Sequence, residues 1–281
     1  MIRAAALLPD MRGAIGGRIR ALVGSGTVDL SRPPGDTGLF GPGSVAWRIH
    51  GDFSAMMIGG VSALLLQMLH PLALAGVWDH SDFRRDRLGR LRRTAQFISL
   101  TTFGSTVAAE DAIARVRRIH DQVSGTLPDG TAYDANDPAL LTWVHVAEVD
   151  SFLRAYVRYR EPGLSSADQD RYLAETATIA RRLGAQDVPV TRRDVDTYYR
   201  SVRPRLRFDE RTHEVAEALL ASGPDMLTTG ALAIIAPAAI DLLPPWAAEL
   251  HGKTPPALGR PAIRLGARGM SQALRWALRR R

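Results

Sequence analysis

Apolar residues recur at intervals of three and four along nearly the whole chain, which is the spacing of amphipathic helices. Alternating β-branched stretches are scarce, and Gly and Pro clusters separate the helical segments without forming a long linker. The pattern predicts an all-α fold with a single large helical domain over residues 41–250. An amphipathic arm over residues 1–40 precedes it, and a basic helix over residues 251–281 packs on it. The Pro-Asp-Gly turn within TLPDGTAY predicts one small β-hairpin.

Capping signals place several helix ends. Ser44 begins a helix through His50 that could continue into the apolar segment after Asp52. Residues 80–82 are expected to open a strongly basic helix that Gly104 closes, and the next helix covers residues 106–125. Asp137 followed by Pro138 predicts a helix to about residue 160. Further helices are expected over residues 166–183, 192–202, 210–222 and 226–240, before a short element near residue 246 and the terminal helix.

Residues 53–78 contain no charged side chain, so this stretch is long enough to span a bilayer. It also contains Gly59, Gly60 and Gln67, and Pro71 should break a helix just after His70. A buried central helix followed by a second short element therefore fits the segment better than a membrane span.

The helix over residues 106–125 places a histidine among core-facing positions. Ile113, Val116, His120 and Val123 lie at i, i+3, i+7 and i+10, so the imidazole shares a stripe with apolar residues. A buried neutral imidazole needs a partner, which could be a hydrogen-bonding group, a metal ion or haem iron. A core histidine bonded to a backbone carbonyl is the simpler alternative, and periodicity leaves both open.

Two more histidines lie on or near apolar faces. His145 shares a face with Leu141, Glu148 and Phe152, so His145 and Glu148 could point at a common ligand or form a surface i,i+3 pair. His70 directly precedes Pro71, where backbone groups become free, and this position favours a capping or structural role.

The basic helix offers Arg90, Arg93 and Thr94 on adjacent positions of one face. Guanidinium groups match carboxylates, and a cation or hydroxyl near a bound oxygen species stabilises developing negative charge. A solvated arginine-rich face is the alternative explanation.

Composition narrows the function classes. The formal charge is +7, but nearly all of the positive charge is arginine, spread over many helices and interleaved with acids, and Lys253 is the only lysine. No aromatic side chains alternate with a basic stripe, so a nucleic-acid partner is not expected. The absence of cysteine excludes disulfides and thiolate chemistry. The N-terminus lacks the apolar run of a secretory signal, which favours a cytoplasmic protein.

Other familiar catalytic patterns are absent from the sequence. A di-iron carboxylate bundle needs two Glu-x-x-His motifs, and the chain has one, from Glu210 to His213. There is no His-Glu-x-x-His, no Gly-x-Ser-x-Gly and no Walker-type phosphate loop.

Several segments, taken in order, resemble the family of the latex-clearing rubber oxygenases and MpaB-type oxygenases. The resemblance covers residues 41–250 and rests on the order and spacing of its pieces. They are WRIHGD (47–52), the pair Gly59-Gly60, QMLHP (67–71), GVWDHSDFRRDRLGRLRRT (76–94), FGS (103–105), RVRRIHDQVSG (115–125), PDGTAYDANDPALLTWVH (128–145) and DLLPPW (241–246).

This resemblance implies an all-α, globin-like fold that holds a haem b (iron protoporphyrin IX) and uses O₂ to oxidise or cleave double bonds in isoprenoid substrates. By position, His120 would be the axial iron ligand, and Arg90, Arg93 and Thr94 would be the catalytic patch on the distal side. We further expect Arg117, His145 and His70 to contact the cofactor.

The chain departs from the rubber oxygenase at two places. Arg93 stands where that enzyme has a lysine, and residues 72–77 offer no acid where it has a catalytic glutamate. A small hydrophobic substrate is therefore expected, and rubber is not. Two alternatives stay open: a non-catalytic haem- or lipid-binding protein, and a helical protein whose C-terminal basic helix contacts an anionic membrane through Met270, Leu274 and Leu278.

Overall fold

The computed structural model describes residues 35–83, 85–221 and 226–278. The N-terminal arm predicted over residues 1–40 therefore lies almost entirely outside the described residues. The described part holds twelve α-helices and a single two-stranded antiparallel sheet, which confirms the all-α prediction with one hairpin. The helices are α1 Val45–His50, α2 Phe53–Gln67, α3 Pro71–His80, α4 Arg87–Phe103, α5 Thr106–His120, α6 Pro138–Tyr159, α7 Ser166–Leu183, α8 Arg192–Val202, α9 Glu210–Leu220, α10 Met226–Leu242, α11 Pro245–Leu250 and α12 Arg260–Leu278.

The strands β1 Ser124–Thr126 and β2 Ala132–Asp134 form the predicted hairpin between α5 and α6. Its turn closes through the Gly130 amide, which donates to the Leu127 carbonyl at 2.9 Å. Gly130 has φ +87°, a conformation that side chains with a Cβ rarely adopt, so the Pro-Asp-Gly signal identified the turn correctly.

The centre of the molecule is the packing of α2 against α6. Fully buried side chains from both helices, among them Leu65, Leu66, Trp143 and Leu153, form its core. Two reciprocal hydrogen bonds join the helices where α2 ends, because the Trp143 indole donates to the Gln67 carbonyl at 3.1 Å and the Gln67 amide donates to the Val144 carbonyl at 3.0 Å. This pair of helices is the frame on which the other elements are placed.

Three predicted boundaries are wrong, each for a local reason. α1 does not continue into the apolar segment, because Asp52 caps α2 by accepting from the Ala55 amide at 2.9 Å. The basic helix does not open at residues 80–82. His80 ends α3, and Asp86 caps α4 by accepting from the Gly89 amide at 2.8 Å. α5 ends at His120 rather than Gly125, since Ser124–Thr126 pairs with the second strand.

None of the described helices is long and apolar enough to cross a membrane alone. Only α2 and α3 together pass that test, by length and composition, and they are bent by 104° at the break before Pro71. The bend follows from Pro71 at the first position of α3, as the sequence predicts.

Candidate functional site

The helices α4 and α5 form an antiparallel hairpin that carries most of the predicted site residues. Gly104 ends α4, and Ser105 caps α5 by accepting from the Ala108 amide at 3.2 Å. Arg90 lies 14 residues before Gly104, and His120 lies 15 residues after Ser105. At about 1.5 Å of rise per residue, both residues are about 22 Å from the turn. We call this end of the hairpin its open end.

The opposite end of the hairpin is fastened to the chain that precedes α1. Asp36 accepts hydrogen bonds from the Thr106 amide at 2.8 Å and from the Thr106 hydroxyl at 2.7 Å. Gly38, at φ +71°, approaches the Gly104 carbonyl so closely that no side chain fits between them. The turn is therefore held at a fixed place on the molecule.

His120 is the last residue of α5, and its side chain is largely enclosed. Its Nδ1 atom is buried and has no hydrogen-bond partner. Burial lowers the pKa of His120, and Asp121 and Asp134 partly oppose this shift. The imidazole is therefore neutral near pH 7, which is the form that binds metal ions. The expected alternative was a core histidine bonded to a backbone carbonyl, and no such hydrogen bond joins the His120 ring to the described residues.

Arg90 is a half-buried cation at the same end of the hairpin. Its guanidinium donates to the Ser81 hydroxyl at 3.3 Å, and no carboxylate of the described residues lies within ion-pair distance of it. Burial lowers the pKa of Arg90, and the neighbouring Arg93 lowers it further. A half-buried guanidinium without a carboxylate has the capacity to bind an anionic group.

Arg93 and Thr94 do not join Arg90 in the interior. Both are exposed, and Arg93 forms an ion pair with Asp86 at 3.2 Å. The Thr94 hydroxyl donates to the Arg90 carbonyl of its own helix at 3.2 Å. Arg117 is also exposed, on α5. The structure thus separates one half-buried arginine from three residues at the surface.

His145 and Glu148 lie on the inner face of α6 and are not a surface pair. Burial lowers the pKa of His145 to about 4, with Arg181 contributing, and burial raises the pKa of Glu148 to about 7. Nε2 of His145 is buried without a hydrogen-bond partner. Both side chains are half-buried.

A hydrogen-bonded triad links three other helices beside this face. The His50 ring lies between the Thr102 hydroxyl at Nδ1 and the Tyr172 hydroxyl at Nε2, each at 2.8 Å. Burial lowers the pKa of His50 to about 3, and the nearby His145 contributes. The triad fixes α1, α4 and α7 around the inner face of α6.

His70 occupies the N-cap position of α3, but its side chain makes no capping hydrogen bond. The ring packs against Trp143, with centroids 6.0 Å apart, and its Nδ1 is buried without a partner. Burial lowers the pKa of His70 to about 4; Arg205 contributes to the shift and Asp137 opposes it. Of the expected capping or structural role, the side-chain cap is absent, while the ring packs in the interior with an unpartnered ring nitrogen.

Sequence reasoning missed one histidine of the same kind. Nε2–H of His251 donates to the Leu65 carbonyl at 2.8 Å, which leaves its buried Nδ1 without a partner. His251 follows α11 in a loop, where no periodicity marks an inward position. The three predicted histidines His70, His120 and His145 share this property with it.

Within residues 35–83, 85–221 and 226–278, no three His, Asp or Glu side chains come together as a group that could hold a metal ion.

The sequence matches a protein family described as "ER-bound oxygenase mpaB/B'/Rubber oxygenase, catalytic domain" over residues 47–276. The match includes every predicted site residue and most of the chain. Searches among curated proteins and among solved structures found no match.

Proposed function

The chain belongs to the family of MpaB-type and rubber oxygenase catalytic domains, and from this premise we propose that it is a haem b-dependent oxygenase acting on a small hydrophobic, isoprenoid substrate. Membership of the family implies an oxygenase, and hence an oxidoreductase that uses O₂ and an organic substrate. The observation that carries the haem part of the proposal is the buried, unpartnered nitrogen of His120 at the open end of the α4–α5 hairpin.

The residues at the open end fit a haem by the chemistry of their donors. His120 offers a neutral imidazole, and Arg90 offers a half-buried guanidinium that no described carboxylate neutralises. These groups match the iron and the carboxylates of a porphyrin. When bound, the haem supplies the iron chemistry through which O₂ reacts with an organic molecule.

The chain's own residues set the surroundings of the reaction. Apolar side chains of α2 and α6 exclude water and favour an apolar substrate, as in other ligand sites. Glu148 holds or releases a proton near neutral pH on the inner face of α6, which makes it the carboxyl best suited to exchange protons in this interior.

A non-catalytic haem- or lipid-binding protein is the second candidate, and one observation favours it. Arg93 and Thr94 are exposed and paired elsewhere, so the distal patch implied by the family resemblance is not assembled. Oxygen uptake with isoprenoid substrates distinguishes the two functions, because a carrier retains haem and consumes no O₂.

An absorption spectrum of the purified protein, oxidised and dithionite-reduced, tests the proposal directly. We expect a Soret band that His120→Ala removes or strongly shifts. His213→Ala is the matched control, because His213 is exposed on α9 and should leave the spectrum unchanged. A Soret band unchanged in His120→Ala but lost in His145→Ala or His70→Ala would transfer the ligand role to that histidine. A colourless protein after expression with a haem precursor would refute haem binding.

A further inference from the structure

The helix α12 packs on the domain through one face, and its opposite face carries exposed apolar side chains. Its inward face packs on the domain through the fully buried Ala267 and Ser271, with Ile263 and Met270 against the main core. The face predicted from the sequence to contact a membrane, with Met270, is therefore half-buried. Any surface for a partner must be the opposite face.

The outward face of α12 is almost entirely apolar or small. Leu265 is 73% exposed and Trp276 is 44% exposed. They lie eleven residues apart, which is close to three full turns, so they share one side of the helix. Among the exposed positions of α12, Arg268 and Gln272 are the only ones with a polar side chain.

Exposed apolar side chains concentrate in this part of the chain. Six large apolar residues of the described part are exposed, and four of them lie between residues 250 and 276: Leu250, Leu258, Leu265 and Trp276. Leu258, in the turn before α12, is 96% exposed. An apolar surface of this kind marks an interaction site more often than chance exposure does.

The charge of residues 250–278 indicates which kind of partner this surface binds. Residues 250–278 contain five basic residues and no acid. Arg264 and Arg275 hold α12 to the domain through ion pairs with the buried Asp241 and Asp52, at 2.8 and 2.7 Å. Arg268 lies on the outward face, and Arg260 and Arg264 remain partly exposed beside it.

Two occupants suit an apolar helix face: a second copy of the chain or a lipid surface. Lys253, Arg260, Arg264 and Arg275 are ion-paired with carboxylates of the domain, whereas Arg268 has no ion pair among the described residues. A second copy would bring the Arg268 side chains of both chains to one interface, where their like charges would repel. An anionic bilayer instead attracts the arginines electrostatically, while leucine and tryptophan side chains enter its headgroup region.

We propose that the outward face of α12, with Leu258, Leu265, Arg268 and Trp276, is a docking surface for a membrane rich in anionic phospholipid. The protein lies on the bilayer through this face and does not span it. An apolar substrate dissolved in the same membrane is then concentrated next to the enzyme.

Sedimentation of the full chain with vesicles tests the proposal, using phosphatidylcholine with and without phosphatidylserine. We expect binding to the serine-containing vesicles only, and weaker binding at high salt. Leu265→Glu should reduce the partition coefficient by about tenfold or more, and Arg268→Gln by about fivefold, the effect of one basic residue near an anionic surface.

Val107→Glu is the matched control, because Val107 is 62% exposed on α5, far along the chain from α12. It should bind vesicles like the unmodified protein. Equal loss of binding in Val107→Glu and Leu265→Glu would overturn the proposal, as would unchanged binding in Leu265→Glu. Equal binding to neutral vesicles would remove its electrostatic basis. Dimerisation abolished by Leu265→Glu, without vesicle binding, would assign the face to a second copy. None of these outcomes depends on haem or on turnover.

Discussion

Glu148 and Asp150 lie two residues apart on α6, Glu148 half-buried and Asp150 fully buried, and their pKa values shift in opposite directions. Burial alone would raise the pKa of Asp150, but Arg154 and Arg192 lower it below its usual range. Arg154 donates to its Oδ2 at 2.6 Å, Arg192 donates to Oδ1, and the Tyr199 hydroxyl donates to Oδ2 at 3.0 Å. Glu148 has no cation beside it, and burial raises its pKa to about 7.

The difference distinguishes a carboxylate that has a structural role from one that can exchange protons. Asp150 is ionised and fully paired, so it joins α6 to α8 and has no proton to exchange near neutral pH. Glu148 is only partly ionised at neutral pH, as acid–base groups of enzymes often are. A separation of two residues places the two side chains on different faces of the helix. This placement decides whether each carboxylate has a structural role or can exchange protons.

Removing the paired carboxylate gives the largest effect that we expect. Asp150→Ala leaves Arg154 and Arg192 as uncompensated charges in a largely buried site, which costs about 3–5 kcal/mol. Urea denaturation measures the loss as a lower midpoint with a similar slope. The exposed Asp111→Ala on α5 should stay within about 0.5 kcal/mol of the unmodified protein. A loss for Asp150→Ala no larger than that of the control would contradict the structural role.

The unpaired carboxyl predicts a pH dependence of stability. The pKa of Glu148 rises from a usual 4.5 to about 7 on folding, so the folded state holds the proton more tightly than the unfolded state. Its contribution is present below pH 4.5 and is lost as the pH rises through 7, by about 3 kcal/mol at about 1.4 kcal/mol per unit.

Glu148→Gln should therefore match the unmodified protein near pH 5 and be more stable near pH 8. The difference between the two unfolding free energies, measured across this range, isolates Glu148 from His50, His145 and Tyr172, which also face the site. Glu249→Gln, at an exposed position, should show no such difference. A flat difference for Glu148→Gln would mean that the carboxyl titrates normally.

The smallest effect concerns the triad beside Glu148. Tyr172→Phe removes the hydrogen bond to Nε2 of His50 and leaves that nitrogen buried without a partner. A loss of about 1–2 kcal/mol is expected in thermal or urea unfolding. Because burial is the cause of the raised pKa of Glu148, and the Tyr172 hydroxyl is not, the pH profile of the variant should keep its shape. If the pH dependence of stability disappears in Tyr172→Phe, the titrating group belongs to the triad of His50, Thr102 and Tyr172.

Much of the fold was predictable because its signals are local. Asp137 and Pro138 fix the start of α6, Ser105 and Gly104 fix the turn between α4 and α5, and the Pro-Asp-Gly turn fixes the hairpin. The wrong boundaries have a different origin. α5 ends at His120 because the residues after it pair with a strand ten positions away, which helical periodicity does not register.

The site was predictable in its histidines and less so in its environment. The periodicity placed His120 among core-facing positions, and the family resemblance led to His70 and His145 as further cofactor contacts; each of the three has a buried ring nitrogen without a partner. The pattern of Arg90, Arg93 and Thr94 indicated one face, but α4 turns only Arg90 inward, because Asp86 holds Arg93 at the surface. His50 and His251 depend on contacts between distant helices and loops, so sequence spacing alone does not identify them.

The two ends of the α4–α5 hairpin are anchored very unequally. Asp36 and Gly38 contact the turn between α4 and α5, and the Thr102 hydroxyl in the last helical turn of α4 is hydrogen-bonded to His50. At the far end, the Arg90 guanidinium donates one hydrogen bond to the Ser81 hydroxyl, and the buried Nδ1 of His120 has no partner. A flat ligand placed between Arg90 and His120 would therefore displace fewer hydrogen bonds than one placed near the turn of the hairpin.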